Sequence, residues 1–150
     1  MILKNKTILI IGAGGLLGAK VVETSLKLGA QVIAADISKN LINATGLDKE
    51  KVIFESVDIT NTESVEDLFD KYGCIDGAVN CTYPRNKSYG AHFFDVKLDS
   101  FNENLSLHLG SAFLFTQQCA KYFKKHETPF SLVNISSALF PKSLNYLASL

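Results

Sequence analysis

Five short apolar runs constrain this chain more than any other feature: Thr7–Ile11, Gln31–Asp36, Val52–Asp58, Ile75–Asn80 and Ser131–Ile135. They are rich in Val and Ile, and most lack the polar alternation of a strand with one wet face. Strands buried on both faces of a parallel sheet read this way. The segments between them carry helical spacing. In the first, Leu17, Val21, Thr24 and Leu28 share a face, and Gly29 supplies the stop. A shorter helix is expected after Ser38. The next opens on Thr60-x-x-Glu63, a capping box, and sets Val65, Leu68, Phe69 and Tyr72 at i, i+3, i+4, i+7. The last opens on a second box, Ser100-x-x-Glu103, and runs to about His126. The three prolines, Pro84, Pro129 and Pro141, fall outside these elements. Strand and helix in alternation predict an α/β fold: a doubly wound parallel sheet of about five strands between two helical layers. A length of 150 residues suits one domain or a large piece of one.

On a helical wheel of the last helix, Phe101, Leu105, Leu109, Ala112, Thr116, Cys119 and Phe123 share one face, which is expected to cover the sheet. A second stripe holds Leu107, Leu114, Phe115 and Tyr122. It packs on another copy of the chain in a homodimer, or it is scattered apolar surface. The longest irregular stretch, Cys81–Leu98, follows the fourth strand, and loops of that length are often functional.

Charge narrows the partners. Lys+Arg and Asp+Glu both total 15, so no basic face for nucleic acid is implied. The three cysteines, Cys74, Cys81 and Cys119, are widely spaced and form no CxxC, which suits a reduced cytoplasmic protein without zinc or disulfides. The opening "MILKNKTILIIGAGGLLGAK" has a signal-like run, but four glycines break it and no A-x-A site follows. No apolar stretch approaches the roughly 20 residues that span a bilayer. Neither a membrane nor a metal is expected.

The same glycines point to a ligand. Gly12, Gly14, Gly15 and Gly18, with Leu16 and Leu17 among them, lie where the first strand turns into the first helix. Such a bend favours glycine and lets a diphosphate rest on main-chain amides at the helix N-terminus. The alternative is a tight turn with no ligand. Asp36 ends the second strand, 18 positions beyond Gly18, with Ile37 beside it. A carboxylate there accepts from both ribose hydroxyls of NAD and repels the extra phosphate of NADP. No arginine follows to offset it, although Lys39 is near. The alternative is a capping role for Asp36. Asp58 closes the third strand, where it can take the adenine amino group with the Ile59 backbone, or serve as a turn acid.

Together these features resemble the short-chain dehydrogenase/reductase family, over nearly the whole chain. The resemblance implies a Rossmann fold binding NAD, or less favourably NADP, and an oxidoreductase acting on a small-molecule hydroxyl or carbonyl substrate. The loop "IGAGGLLG" is closer to the extended branch, because Leu16 occupies the usual middle glycine. The family's N-N-A-G reads "NCTY" here, which places Asn80 and Cys81 at the cofactor. The phrases "FLFTQQCAKYF" and "SLVNISS" are similar to the fourth helix and fifth strand, and set Ser137 at the catalytic serine and His108 where asparagine is usual. "YPRNKSYGAHFFDV" and "LHLGSAFLFTQQCAKYF" resemble a bacterial branch linked to flagellin and surface-glycan modification, which implies nucleotide-linked or related sugars as substrates. His108 fits that branch, where it would orient a water or the substrate; the alternative is a packing histidine. Arg85, Lys87 and Tyr89 either touch an anionic sugar-linked phosphate or form a solvated loop surface.

In such enzymes a tyrosine hydroxyl exchanges a proton with the substrate oxygen. An unperturbed tyrosine has a pKa of about 10, so roughly 0.1% is ionised at pH 7. A lysine ammonium about 4 Å away is worth on the order of 4 kcal/mol at an effective dielectric of 20, or about three pKa units. One helical turn places the pair together. Tyr146 and Leu150 have that separation, but leucine cannot lower a tyrosine's pKa. Tyr146 is therefore either the catalytic tyrosine or an ordinary contact. The expectation is a piece of the family fold that keeps the cofactor half and leaves the fifth strand as a bare edge. The alternatives are a non-catalytic dinucleotide-binding module or regulatory partner, and a remnant that does not fold stably.

Overall fold

The computed structural model describes residues 1–43 and 51–136. Strands β1 (Thr7–Ile11), β2 (Gln31–Asp36), β3 (Val52–Ser56), β4 (Gly77–Asn80) and β5 (Ser131–Asn134) form a parallel sheet in the order β3-β2-β1-β4-β5. The helices are α1 (Leu16–Lys27), α2 (Lys39–Asn43), α3 (Thr62–Lys71), α4 (Leu98–Leu105) and α5 (Ser111–His126). A π-helical turn, Ser106–Gly110, joins the last two. The doubly wound α/β expectation holds. No described helix is long and apolar enough to cross a membrane.

The central strand shows why the apolar runs do not alternate. Leu9 and Ile11 of β1 face a cluster with Val65, Leu68 and Phe69 of α3 and Phe115, Cys119 and Tyr122 of α5. Ile10 points the other way, into a cluster with Val22 of α1 and Val32 and Ala34 of β2. Successive side chains meet opposite faces, and both faces are covered. Burying each large side chain contributes about 1.5–3 kcal/mol. From β1 the chain steps outward through β2 to β3, then returns so that β4 lies on the other side of β1. That reversal opens a crevice at the carboxyl ends of β1 and β4, where open α/β sheets bind ligands.

Local details correct several expectations. The cap of α3 is Asn61, whose Oδ1 accepts from the Ser64 amide at 2.9 Å. Thr60 is instead held by Asp58, whose Oδ1 accepts from its amide and its hydroxyl at 2.9 and 2.6 Å. Helix α4 begins before Ser100, after Lys97, because the Ser100 hydroxyl and carbonyl accept from Asn86 rather than capping a helix. The inward face of α1 is Gly18, Val22 and Ser25, one residue on from the face expected, and Leu17 and Thr24 are exposed.

Apart from Cys119, which is in the core as expected, the two stripes of the last helix are reversed. Phe115, Cys119 and Tyr122 are in the core, with Leu114 packed against it. Phe101, Leu105, Leu109 and Phe123 are exposed. The reason is polar: Asn104, Ser111 and Gln118 share the inward face and are buried. Asn104 bonds the loop residue Asn86 in both directions. Ser111 donates back to the carbonyls of Leu107 and His108, and Gln118 donates to Glu66. Each finds a partner, so its burial is tolerated. Hydropathy alone turned that face outward. The stripe expected to meet a second subunit is thus largely the sheet contact. Phe115→Ala is expected to cost about 3–5 kcal/mol in urea denaturation, and Phe113→Ala no more than about 0.5 kcal/mol. Similar losses would contradict this assignment of faces.

Candidate functional site

The bend after β1 is built by backbone contact. Gly12 has φ +79°, and a Cβ there would meet the Cys81 carbonyl carbon at 2.8 Å. A Cβ on Gly18 would stand 2.0 Å from the Gly12 carbonyl oxygen. Only glycine lets the first turn of α1 press onto the loop in this way. The Gly12 and Ala13 amides both donate to the Ala35 carbonyl of β2, at 2.8 and 3.0 Å. The first bond of the α1 ladder runs from the Ala19 amide to the Gly15 carbonyl. The amides of Leu16, Leu17 and Gly18 therefore precede the ladder and point out of the helix end, where its dipole favours an anion. Leu16 and Leu17, expected among the cofactor contacts, are exposed and do not line the cavity. A Cβ on Gly15 would meet nothing nearer than the Gly12 carbonyl oxygen at 3.4 Å, so this residue faces open space.

A cavity of about 530 Å³ lies over this loop. Of the residues expected to contact a cofactor, Gly12, Gly14, Gly15, Asp36, Ile37, Asp58, Ile59 and Cys81 line it. Asp36 Oδ2 accepts from the Gly14 amide at 2.9 Å, and Oδ1 from the Ile37 amide at 2.8 Å. The carboxylate ties β2 to the glycine loop and keeps lone pairs for further donors. Asp58 holds the turn at Thr60 and also lines the cavity, so its position suits both readings offered. Burial pushes the Cys81 thiol up to about 11, so it is neutral and acts as apolar wall.

Two expected residues stand behind the cavity rather than in it. Gly18 is packed under the loop. Asn80 is buried: its Oδ1 accepts from the Thr82 amide and hydroxyl at 3.0 and 2.7 Å, and its Nδ2 donates to Asn134 at 3.2 Å. Its side chain holds the turn after β4 and ties it to β5. The cavity wall here is completed by Thr82, Tyr83, Pro84 and Arg85. The signal for these was the departure "NCTYPR" directly after a strand end.

His108 sits in the π turn, a distortion frequent at functional sites. Its ring stacks on Tyr83 at 4.3 Å and meets Tyr89 edge-on at 5.7 Å. Nε2 is buried with no hydrogen-bond partner among the described residues. Burial lowers the pKa below the ordinary 6.5, against a smaller opposing effect of the Pro84 backbone. Ser137 and Tyr146 lie outside the described residues.

The sequence profile described as short chain dehydrogenase matches residues 6–148. This chain belongs to the short-chain dehydrogenase family. Post-translational flagellin modification protein A of Campylobacter coli is 34% identical over 96% of the chain and 61% of its own length. The 2,5-dichloro-2,5-cyclohexadiene-1,4-diol dehydrogenase of Sphingobium indicum is 30% identical over 91% of the chain and 56% of its own. A short chain dehydrogenase from Leptospira borgpetersenii, solved with bound NAD+, matches with a TM-score of 0.75 at 24% identity, over 90% of this chain and 52% of that one. That last likeness speaks for the fold. The chain spans between 52% and 61% of the length of these short-chain dehydrogenase relatives.

The two glycines at either side of the loop's N-terminal amides differ in a testable way. Gly18→Ala should lower stability by about 3 kcal/mol or prevent folding, because backbone must move. Gly15→Ala should lose no more than about 1 kcal/mol, the scale of an N-cap change. Thermal melts of both variants check this. His108 should titrate below 6.5 by ring-proton NMR. With the folded pKa below the unfolded one, its stabilising effect is complete above about pH 6.5 and declines as pH falls, levelling off below the folded pKa. His108→Phe should remove that slope from the stability profile.

Proposed function

We propose that this cavity binds NAD and that the chain is the cofactor-binding part of an oxidoreductase moving hydride to or from a hydroxyl or carbonyl carbon. The observation that carries the reading is the cavity over the glycine loop, walled by Gly12, Gly14, Gly15 and Asp36, beside the N-terminus of α1, whose ladder begins only with the Ala19 amide. That cradle suits a diphosphate. Asp36 would accept from the ribose hydroxyls while keeping its bonds to Gly14 and Ile37. Ile37, Ile59 and Cys81 offer apolar walls to the base, and Asp58 an acceptor for its amino group. The nicotinamide of bound cofactor would supply the hydride chemistry. Ser137 would donate a hydrogen bond to a developing alkoxide, and Tyr146 would carry the proton. His108 would orient the substrate or a water.

For the substrate we propose a nucleotide-linked or related sugar in surface-glycan biosynthesis. Support comes from the identity with the Campylobacter coli flagellin modification protein. A second reading, a dinucleotide-binding module without turnover, is favoured by leucine rather than lysine four positions after Tyr146 in the sequence. Turnover of candidate sugar alcohols with NAD separates the two.

Calorimetry on the unmodified protein should find NAD bound about tenfold or more tightly than NADP, the scale of one added like-charge contact. Asp36→Ala should narrow the gap. Equal affinities in the unmodified protein would remove Asp36 from the argument.

A further inference from the structure

The cavity has an unbalanced charge. Two carboxylates, Asp36 and Asp58, line it. A dinucleotide would add a diphosphate to the same space. The helix end contributes only a partial positive charge, equivalent to about half an elementary charge. Among the described residues lining the cavity, Arg85 is the single cation. We infer that Arg85, from the loop after β4, is the side-chain counter-charge for the cofactor's diphosphate. This deepens the NAD reading and rests on it.

The loop backbone next to Arg85 is held in place. Arg85 precedes Asn86, whose amide donates to Asn104 Oδ1 at 3.0 Å, while Asn104 Nδ2 returns a bond to Asn86 Oδ1 at 2.9 Å. The Asn86 side chain also donates to the Ser100 carbonyl and hydroxyl and to Glu103 Oε2, at 3.1, 3.0 and 2.6 Å. Asn104 is buried in α4, so the loop is fastened to a helix at the residue next to Arg85. The guanidinium carbon lies 5.7 Å from the centre of the Tyr89 ring. Tyr89 is in turn hydrogen-bonded to Tyr83, hydroxyl to hydroxyl, at 2.7 Å. An aromatic face attracts a cation without neutralising its charge. No ion pair between Arg85 and a carboxylate occurs among the described residues. The charge is thus positioned without being neutralised, at a wall where an anion is needed. Lys87, two residues on, does not line the cavity.

The test is calorimetry of NADH, ADP and adenosine with the wild type and with Arg85→Gln, Arg85→Lys and Lys87→Gln, each checked by thermal melt. Arg85→Gln should weaken NADH and ADP by about tenfold, the scale of one charge-assisted contact, and leave adenosine unaltered. Arg85→Lys should keep part of the affinity, and Lys87→Gln all of it. The wild-type advantage should shrink as salt rises. ADP binding equally well to Arg85→Gln overturns the role of Arg85 alone. So does an equal loss for adenosine, which would mean stacking on the base. A wild type that binds none of the three ligands overturns the dinucleotide reading, and this inference with it.

Discussion

The contact on which the site depends is backbone against backbone: the Cα of Gly18 lies on the carbonyl of Gly12. It sets the roll of α1 about its own axis, so Val22 and Ser25 face inward and Leu17 outward. It also brings the free amides of the first turn up to the loop. Gly12 itself is pinned between the Ala35 carbonyl on one side and the backbone of Cys81 on the other. Three strands therefore meet at a single residue without a side chain. A methyl group at either glycine would push helix or strand away, and the cavity over the loop would lose its floor.

Polar pairs do for the other half of the molecule what glycines do for the first. Asn104, Ser111 and Gln118 find partners on the inward helix face that Phe115 and Tyr122 bury in the core, so their polarity does not turn it outward. Asn104 and Asn86 then fasten the long loop after β4 to α4. That fastening brings Tyr83, Pro84 and Arg85 to the cavity wall and sets Tyr83 on His108. Phe101, Leu105, Leu109 and Phe113 are left exposed as a result.

How much could be read in advance follows from these two devices. The strands and the layers were legible, because burial on both sheet faces leaves unbroken Val/Ile runs and each run is followed by helical spacing. The glycine loop, Asp36 and Asp58 were legible because their chemistry depends on position within a strand–turn–helix unit. Asn80 was read as a cofactor contact and instead supports the turn behind the cavity, since a side chain's direction depends on partners such as Asn134 that lie far along the chain. The caps of α3 and α4 were misplaced by a few residues at most for a similar reason: Asp58 takes Thr60, and Asn86 takes Ser100.

By itself, the amino-acid sequence determined the alternating α/β architecture, the bend that holds main-chain amides open and the acid at the end of β2. Those properties rest on local spacing and residue chemistry. Only the tertiary structure decided which face of α1 and of α5 turns inward, that Asn80 is a support and that Arg85 reaches the cavity. Those outcomes depend on hydrogen bonds and close contacts between residues remote in sequence, and helical periodicity fixes the spacing of a stripe but not which stripe finds a partner.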